Sequence, residues 1–252
     1  MTTFDTLLKI RRSKGAGLFI LLDPDDNSPE ELAARAAECE TAGVDALLMG
    51  GSLLLRDGFD EAVKAVKKAC KIPVIIFPGG PGQLSGEADA VLFLSLISGR
   101  NAQRLIGDQI VAAPAVKQLG LEAIPTGYML ISSGSPTAVE FISDTRPIPR
   151  HKPGLAAATA LAGQYLGLKL IYLEAGSGAD QSVPVELIST VRQWVDLPII
   201  VGGGIRTPDE AAEKVRAGAD FIVIGTALED PRAAQEIGSF CQVVQDAAIH
   251  KK

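Results

Sequence analysis

One carboxylate in this chain stands where an apolar segment runs directly into a glycine-rich turn. The carboxylate is Glu174, and it lies within the sequence Tyr172-Leu173-Glu174-Ala175-Gly176-Ser177-Gly178. An acid at the end of a strand can act as a general base if its surroundings tune its pKa. The alternative is structural, because such an acid often caps a helix or a turn. The residues at neighbouring strand ends therefore bear on the choice between these interpretations.

Two later apolar segments end in glycine in the same way. Residues 198–201 run into Gly202-Gly203-Gly204, and residues 221–224 run into Gly225-Thr226. Glycine has no Cβ atom, so its backbone N–H can lie directly against a phosphate. In a (β/α)8 barrel, the loops after the last two strands frequently bind phosphate. We therefore expect these turns to bind a phosphate group.

A cluster of oxygen atoms is expected at the ends of the first two strands. Asp23 and Asp25 follow apolar residues 18–22, and Ser52 comes shortly after the predicted strand at residues 45–49. Carboxylate and hydroxyl oxygens suit Mg²⁺, which keeps several waters and contacts substrate phosphates. An Asx turn before Pro24 is the structural alternative for Asp23. The pattern favours a metal site over a cap, because Asp23 stands at a strand end.

Other kinds of catalysis find little support in the sequence. No lysine stands at a predicted strand end, which argues against Schiff-base chemistry. The two histidines, His151 and His250, lie in a loop segment and in the C-terminal tail. A histidine-centred triad is therefore not expected. The chemistry must rest on carboxylates and backbone dipoles.

The elements that carry these residues alternate between strand and helix. Strands are expected at residues 18–22, 45–49, 73–77, 90–94, 127–131, 169–174, 198–201 and 221–224. Helices are expected at about residues 29–43, 59–69, 101–119, 154–165, 185–194 and 208–217, with a last helix starting near Pro231. Eight strands, seven of them followed by helices, predict one α/β domain over residues 1–252, a (β/α)8 TIM barrel. A doubly wound open sheet is the second possibility.

Two segments depart from this alternation. Residues 78–89 contain four glycines and two prolines, so an irregular segment is expected where the third helix would stand. Residues 132–153 also lack a regular pattern and carry Arg146, Arg150, His151 and Lys152. Long loops at the C-terminal face of a barrel are often lids over the site, although a disordered surface loop has the same pattern.

Composition limits the range of partners. The net charge of −6 argues against nucleic acid as a partner. Three widely spaced cysteines, with no CxxC, predict reduced and mostly buried thiols. The first residues lack the pattern of a signal peptide, and no uncharged apolar run is long enough for a membrane span. We therefore expect a cytoplasmic protein with at most peripheral membrane contact.

The motifs of this chain, taken together, resemble those of the geranylgeranylglyceryl phosphate synthase family, including its bacterial heptaprenylglyceryl phosphate synthase relatives. The resemblance covers almost the whole chain in order, whereas the last two motifs alone would fit many phosphate-binding barrels. The matching motifs are Leu22-Asp23-Pro24-Asp25, Gly50-Gly51-Ser52, Phe77-Pro78-Gly79, Tyr172 to Gly178, Val201-Gly202-Gly203-Gly204-Ile205-Arg206 and Gly225-Thr226. The family's barrel lacks the third helix, which agrees with the irregular residues 78–89.

The resemblance implies a prenyl transfer. The C-3 hydroxyl of sn-glycerol 1-phosphate would attack an allylic prenyl diphosphate, most simply geranylgeranyl diphosphate, and release pyrophosphate. Asp23 and Ser52 would bind Mg²⁺, and Glu174, with Tyr172, would be catalytic. The resemblance also implies a homo-oligomer, a dimer or a hexamer. Glycerol phosphate would be held by Tyr172, Leu173, Glu174, Ala175, Gly176, Ser177, Gly178, Gly203, Gly204, Gly225 and Thr226.

One position departs from the family pattern, and other functions stay open. Asp26 stands where family members often have a lysine, so a cation for the diphosphate is missing there. The basic residues of segment 132–153 could compensate, or they could form a solvated loop. The same phosphate site would also suit a flavin enzyme, or a phosphosugar isomerase that uses Asp23 and Glu174 as its acid and base. A non-catalytic binding barrel is the least favoured, because both candidate acids are present.

Overall fold

A closed barrel of parallel strands forms the centre of the protein. The computed structural model describes residues 1–25, 27–225 and 236–249. Eight strands pair in sequence order, and the last pairs with the first, which excludes the open doubly wound sheet. The strands are β1 Gly17–Leu22, β2 Ala46–Met49, β3 Val74–Ile76, β4 Ala90–Leu96, β5 Glu122–Leu130, β6 Leu170–Glu174, β7 Ile199–Gly202 and β8 Phe221–Ile224.

Helices surround this barrel, and most lie where the hydrophobic pattern predicts them. The helix predicted after β4 begins with a π-helical turn, Gln103–Gly107, before its α-helical part. The start predicted near Pro231 lies outside the described residues. The α-helices are α1 Thr3–Lys14, α2 Pro29–Ala42, α3 Phe59–Ala69, α4 Asp108–Gln118, α5 Ala138–Ser143, α6 Pro153–Tyr165, α7 Val185–Trp194, α8 Pro208–Arg216 and α9 Ile237–Ile249.

Side-chain alternation along the strands separates two apolar layers. On β6, Leu170 and Tyr172 belong to the cluster inside the barrel, whereas Ile171 and Leu173 pack against the surrounding helices. Because successive side chains on a strand point to opposite faces, the same period turns Glu174 inward. The barrel thus positions Glu174 at the inner, carboxyl end of β6.

The helix expected between β3 and β4 is absent, as the sequence predicts. Residues 77–89, all of which the structure describes, contain no helix. The outer faces of β3 and β4 are covered instead by Val116 of α4 and by Leu84 and Leu121. This thinner cover leaves room beside β4.

Helix α1 closes the other end of the barrel. Its Leu7 is fully buried in the inner cluster, and Phe4 and Ile10 pack against that cluster. The Glu122 carboxylate at the start of β5 accepts hydrogen bonds from the backbone N–H groups of Thr3 and Phe4, at 2.5 and 3.2 Å. This helix is not among the predicted elements, although the spacing of Phe4, Leu7 and Ile10 is a helical signal.

Two expectations need correction. Strand β5 begins at Glu122 rather than at Gly127, because its first residues pair with β4 although Pro125 disfavours a strand. Residues 132–153 are not structureless: they contain α5, and Ile148 pairs with Ile131 in an isolated parallel bridge. Ile148 and Thr145 are buried, so part of this segment belongs to the packed structure.

The structure also bears on the expectations about cysteines and membrane spans. Cys39, Cys70 and Cys241 are buried free thiols, as predicted, and burial raises the pKa of Cys39 to about 12. Among the described residues, no helix is both long and apolar enough to cross a membrane.

Candidate active site

A cavity of about 620 Å³ opens at the carboxyl ends of the strands. Most of the residues predicted to form the site line it. From the predicted set these are Asp23, Ser52, Tyr172, Glu174, Ser177, Gly178, Gly203, Gly204 and Gly225. The ends of β1, β2, β6, β7 and β8 therefore meet around one space, as strand ends do in a barrel.

Glu174 is an isolated carboxylate buried in the wall of this cavity. The residue is 5% exposed, and its Oε1 accepts a hydrogen bond of 2.6 Å from the backbone N–H of Gly176. Burial raises the pKa of Glu174 from its ordinary value to about 7, although the Gly176 hydrogen bond opposes the rise. A carboxyl group with a pKa near neutrality can accept a proton efficiently from a bound substrate.

Tyr172 lies beside Glu174 and carries a buried hydroxyl. This hydroxyl lies beside the Glu174 carboxylate and helps to lower the carboxyl pKa, although the two groups do not meet with ideal hydrogen-bond geometry. Burial and the Glu174 charge raise the pKa of Tyr172 well above its ordinary value, so the phenol stays protonated.

The glycine turns bring backbone close to Glu174. Gly203 has a φ of +81°, and a Cβ added there would lie 2.2 Å from Glu174 Oε1 and 2.6 Å from the Gly176 nitrogen. A Cβ at Gly204 would lie 3.0 Å from both the Ala179 oxygen and the Ser182 nitrogen. Only glycine permits this approach of the β7 turn to the β6 turn. The Arg206 side chain fixes it, donating hydrogen bonds to the carbonyl oxygens of Ala179 and Asp180.

Asp23 both forms an Asx turn and lies at the site, the two alternatives that the sequence left open. Its Oδ1 accepts a 3.0 Å hydrogen bond from the Asp25 N–H, which is the Asx turn, and the residue also lines the cavity. The absence of a Cβ at Gly51 leaves room for this carboxylate, since that atom would lie 2.5 Å from Asp23 Oδ2. Ser52 adds a hydroxyl to the same wall. The groups on this side offer oxygen, which fits a hard cation such as Mg²⁺.

Asp25 was expected to contribute to the same oxygen cluster, and this expectation was wrong. Its carboxylate accepts hydrogen bonds from the backbone N–H groups of Leu55 and Arg56, at 2.5 and 3.1 Å. It therefore holds the loop after β2. No group of three or more histidine, cysteine, aspartate or glutamate residues that could hold a metal occurs in the described part of the chain.

Some predicted residues are not part of the cavity wall. Leu173 and Ala175 pack in the apolar layer between strands and helices, and their contact with glycerol phosphate stays a prediction. Gly176 contributes its N–H to Glu174. Thr226 and Asp26 lie outside the described residues.

The cavity continues into an apolar arm on the side of the missing helix. This arm passes the outer face of β4 and reaches α4 and α5. Its lining includes Leu84, Val91, Phe93, Ala112, Val116 and Ile142. The short, helix-free connection between β3 and β4 is what opens this space.

Arg104 is a site residue that the sequence analysis did not identify. Its guanidinium donates hydrogen bonds to the Asp108 carboxylate at 2.9 Å and to the carbonyl oxygens of Gly79 and Ile142 at 3.1 and 3.4 Å. It thereby joins the π-helical turn, the β3–β4 connection and α5 around the cavity. Its polar position within a helix that otherwise borders an apolar arm is the signal that could have found it.

The basic residues of segment 132–153 lie elsewhere. Arg150 donates to the carbonyl oxygens of Ser132 and Ser182, and Arg146 borders a second, shallower cavity. His151 and Lys152 are exposed. Among the described residues that line the main cavity, the cationic ones are Arg104 and Arg206.

Comparison with protein families supplies the decisive observation. The model of the PcrB family matches residues 8–244. The chain belongs to the PcrB family. The match covers nearly the whole barrel, including every strand that forms the cavity.

Three relatives of this PcrB-family chain share the name geranylgeranylglyceryl phosphate synthase. A geranylgeranylglyceryl phosphate synthase of Chitinophaga pinensis is 50% identical over 220 residues, covering 87% of each chain. One of Thermococcus gammatolerans is 51% identical over 212 residues, covering 84% of this chain and 83% of the relative. A crystal structure of (S)-3-O-geranylgeranylglyceryl phosphate synthase from Thermoplasma acidophilum, in complex with its substrate sn-glycerol-1-phosphate, has a TM-score of 0.92. Its sequence is 36% identical to this one, and the match covers 98% of this chain and 99% of the Thermoplasma chain.

Proposed function

We propose that this chain is a geranylgeranylglyceryl phosphate synthase. It joins the C-3 hydroxyl of sn-glycerol 1-phosphate to an allylic prenyl diphosphate through an ether bond and releases pyrophosphate. The observation that carries this proposal is the position of Glu174, between glycine turns suited to phosphate and an apolar arm. The names of the relatives support the same reaction.

Glu174 acts as the general base in this reaction. The hydroxyl of glycerol phosphate donates a hydrogen bond to the carboxylate, and its proton moves to Glu174 as the ether bond forms. A carboxyl pKa of about 7 leaves a large fraction of the group ionised at neutral pH. The Tyr172 hydroxyl, buried beside the Glu174 carboxylate, orients the glycerol moiety.

The glycine turns hold the phosphate of the acceptor. Gly178, Gly203 and Gly204 all have positive φ angles, of 67°, 81° and 69°, and they line the same cavity. Consecutive glycines in this conformation can direct backbone N–H groups towards one anion. Gly225 and Thr226 complete this phosphate site in the proposal. Binding by neutral backbone groups also suits a chain with a net charge of −6.

Asp23 and Ser52 would hold Mg²⁺ beside the diphosphate. A bound Mg²⁺ supplies charge neutralisation for a leaving pyrophosphate. Two protein ligands are enough for a Mg²⁺ site, because this cation usually keeps waters and binds substrate phosphates. The Asx turn holds the Asp23 carboxylate at the cavity wall.

The apolar arm receives the prenyl chain. Aliphatic and aromatic side chains line it, so burial of the chain is favoured by roughly 25 cal/mol for each Å² of apolar surface removed from water. Geranylgeranyl diphosphate is the proposed substrate. The arm also keeps water away from the allylic carbon, which water would otherwise trap as a free alcohol.

Product analysis tests this function directly. Purified protein with Mg²⁺, labelled sn-glycerol 1-phosphate and prenyl diphosphates of increasing length should give a labelled ether that partitions into organic solvent. The enantiomer, sn-glycerol 3-phosphate, serves as the matched control and should react poorly. Absence of the ether with every prenyl diphosphate would refute the proposed function.

A chelator in the same assay tests the metal site. Activity should fall when Mg²⁺ is removed, and Asp23→Asn should need more Mg²⁺ for half-maximal turnover. Full activity in excess chelator would refute the metal proposal and leave the prenyl transfer standing.

A further inference from the structure

Three aromatic rings form a compact group in the wall of the cavity. Phe77 follows β3, Tyr128 lies on β5 and Tyr172 lies on β6. Phe77 stacks on Tyr172 with ring centroids 5.0 Å apart and planes inclined by 16°. Tyr128 meets both rings edge-on, at 5.7 Å from Phe77 and 5.4 Å from Tyr172. We call these three residues the aromatic cluster.

The aromatic cluster spans the distance between the two halves of the site. On one side, a Cβ added at Gly50 would lie 2.0 Å from the Phe77 carbonyl oxygen, so Phe77 adjoins the turn that carries Ser52. On the other side, Tyr172 lies next to the Glu174 carboxylate. The two tyrosines are buried, whereas Phe77 is partly exposed. All three line the cavity, and Phe77 is the most exposed of the three residues.

The ring faces of the aromatic cluster have no cationic partner in the described part of the chain. The described lysine that lies over an aromatic ring is Lys169, 5.4 Å from the centroid of Phe4, at the other end of the barrel. The faces of aromatic rings carry a negative quadrupole, which attracts a positive charge most strongly where water is excluded. The cluster is therefore built to interact with positive charge brought by a ligand.

We propose that the aromatic cluster, with Phe77 in contact with the substrate, stabilises the positive charge that develops on the allylic carbon atoms during prenyl transfer. The inference rests on the proposed function. As the bond from the first prenyl carbon to the diphosphate oxygen breaks, its electron pair leaves with pyrophosphate. The allylic group then carries positive charge until a lone pair of the glycerol hydroxyl forms the ether bond, and the hydroxyl proton passes to Glu174. The cluster reaches from the turn that carries Ser52, where the diphosphate is proposed to leave, to Glu174, where the hydroxyl is proposed to attack.

Fluorination of one ring tests this inference without changing its shape. Phe77 is replaced by phenylalanine analogues carrying one, two or three ring fluorines, which progressively weaken the negative face. Single-turnover ether formation should slow by about threefold for each fluorine, or about thirtyfold for three. Thermal melting and the Michaelis constant for sn-glycerol 1-phosphate should hardly change.

Phe19 provides the matched control. It also stacks on another ring inside the barrel, that of Phe221 with centroids 4.7 Å apart, but neither of these two residues lines the cavity. The same analogues at Phe19 should leave the rate nearly constant. Equal rates for all analogues at Phe77, or the same slope at Phe77 and Phe19, would overturn the inference. Unmodified protein that forms no ether would instead refute the proposed function, so the two failures are distinguishable.

Discussion

At the scale of single residues, the ionisation of Glu174 links catalysis to stability. Burial raises its pKa from the ordinary 4.5 to about 7, so the folded protein holds a proton that the unfolded chain has released between these pH values. Stability therefore falls as the pH rises from about 4.5 to about 7, by roughly 3 kcal/mol at most. The site keeps its base at a cost to the folded state.

Glu174→Gln should remove this pH dependence. The amide has nearly the same shape and can still accept the hydrogen bond from Gly176, but it carries no charge at any of these pH values. Relative to the wild type, the variant should gain about 2–3 kcal/mol in unfolding free energy between pH 5 and pH 8. Chemical denaturation at both pH values measures this difference. Parallel changes in the two proteins would contradict the raised pKa.

Gly203 offers a second test at this scale. A Cβ there would collide with the Glu174 carboxylate, so Gly203→Ala should displace the base and reduce turnover by about 10²-fold or more. The matched control is Gly167→Ala, because Gly167 has a similar φ of +88° and no atom within 4 Å of an added Cβ. Both variants should lose about 1 kcal/mol of stability from backbone strain. Equal losses of activity would show that strain alone explains the effect.

At the scale of elements, Arg104 holds three parts of the cavity wall together. Its hydrogen bonds reach the β3–β4 connection at Gly79 and α5 at Ile142, while Asp108 fixes its guanidinium. These elements border the apolar arm, whereas the glycine turns belong to the opposite side of the site. Loss of this side chain should therefore weaken the binding of the prenyl diphosphate more than that of sn-glycerol 1-phosphate.

Arg104→Met should raise the Michaelis constant for the prenyl diphosphate by about tenfold and leave that for sn-glycerol 1-phosphate nearly unchanged. The loss of about 1.4 kcal/mol corresponds to one or two hydrogen bonds from a charged group. Arg100→Met is the control, since the Arg100 guanidinium donates a hydrogen bond to the carbonyl oxygen of Gly99 and neither residue lines the main cavity. Steady-state kinetics with each substrate varied in turn gives both constants. Equal increases for both substrates would contradict the separate role of Arg104.

Segment 132–153 is proposed to close over the bound prenyl diphosphate. Its residues around α5 are exposed on one side and border the apolar arm through Val139 and Ile142. Amide hydrogen exchange of residues 134–144 should slow when a non-reactive diphosphate analogue binds, whereas Ile148, already paired with Ile131, should change little. Unchanged exchange around α5 would refute the lid.

The sequence predicts the barrel well because most strands have a strong, local apolar signal, whereas the start of β5 at Glu122 does not. Residues 221–224 and 199–201 appear as uninterrupted apolar runs followed by glycine, and the strand ends then identify Glu174 and the glycine turns without any knowledge of contacts. What the sequence could not predict depends on neighbours distant in the chain. One example is the hydrogen bond from the Leu55 N–H to the Asp25 carboxylate. Another is the pair of hydrogen bonds from Arg104 to the carbonyl oxygens of Gly79 and Ile142. These contacts form only after loops from different strands meet. The raised pKa of Glu174 is likewise a consequence of tertiary burial.

At the scale of the whole molecule, one cavity joins two chemically different halves. Backbone turns at one end suit a small phosphate, and the apolar arm at the other end suits a hydrocarbon chain. The helix-free connection between β3 and β4 makes the second half possible, because a helix there would fill the space beside β4. A homo-oligomer and a peripheral contact with membrane lipid stay predictions for this molecule.

The most direct test of this account compares the pH dependence of two proteins. The specificity constant kcat/KM for sn-glycerol 1-phosphate is measured from pH 5 to pH 9 for the wild type and for Glu174→Gln, with saturating prenyl diphosphate and Mg²⁺. The substrate phosphate titrates in both assays, so the ratio of the two constants isolates Glu174. We predict that this ratio rises about tenfold per pH unit below pH 7, and levels off at roughly 10²–10⁴ above it. A ratio near one, or a large ratio that does not change with pH, would contradict Glu174 as the general base.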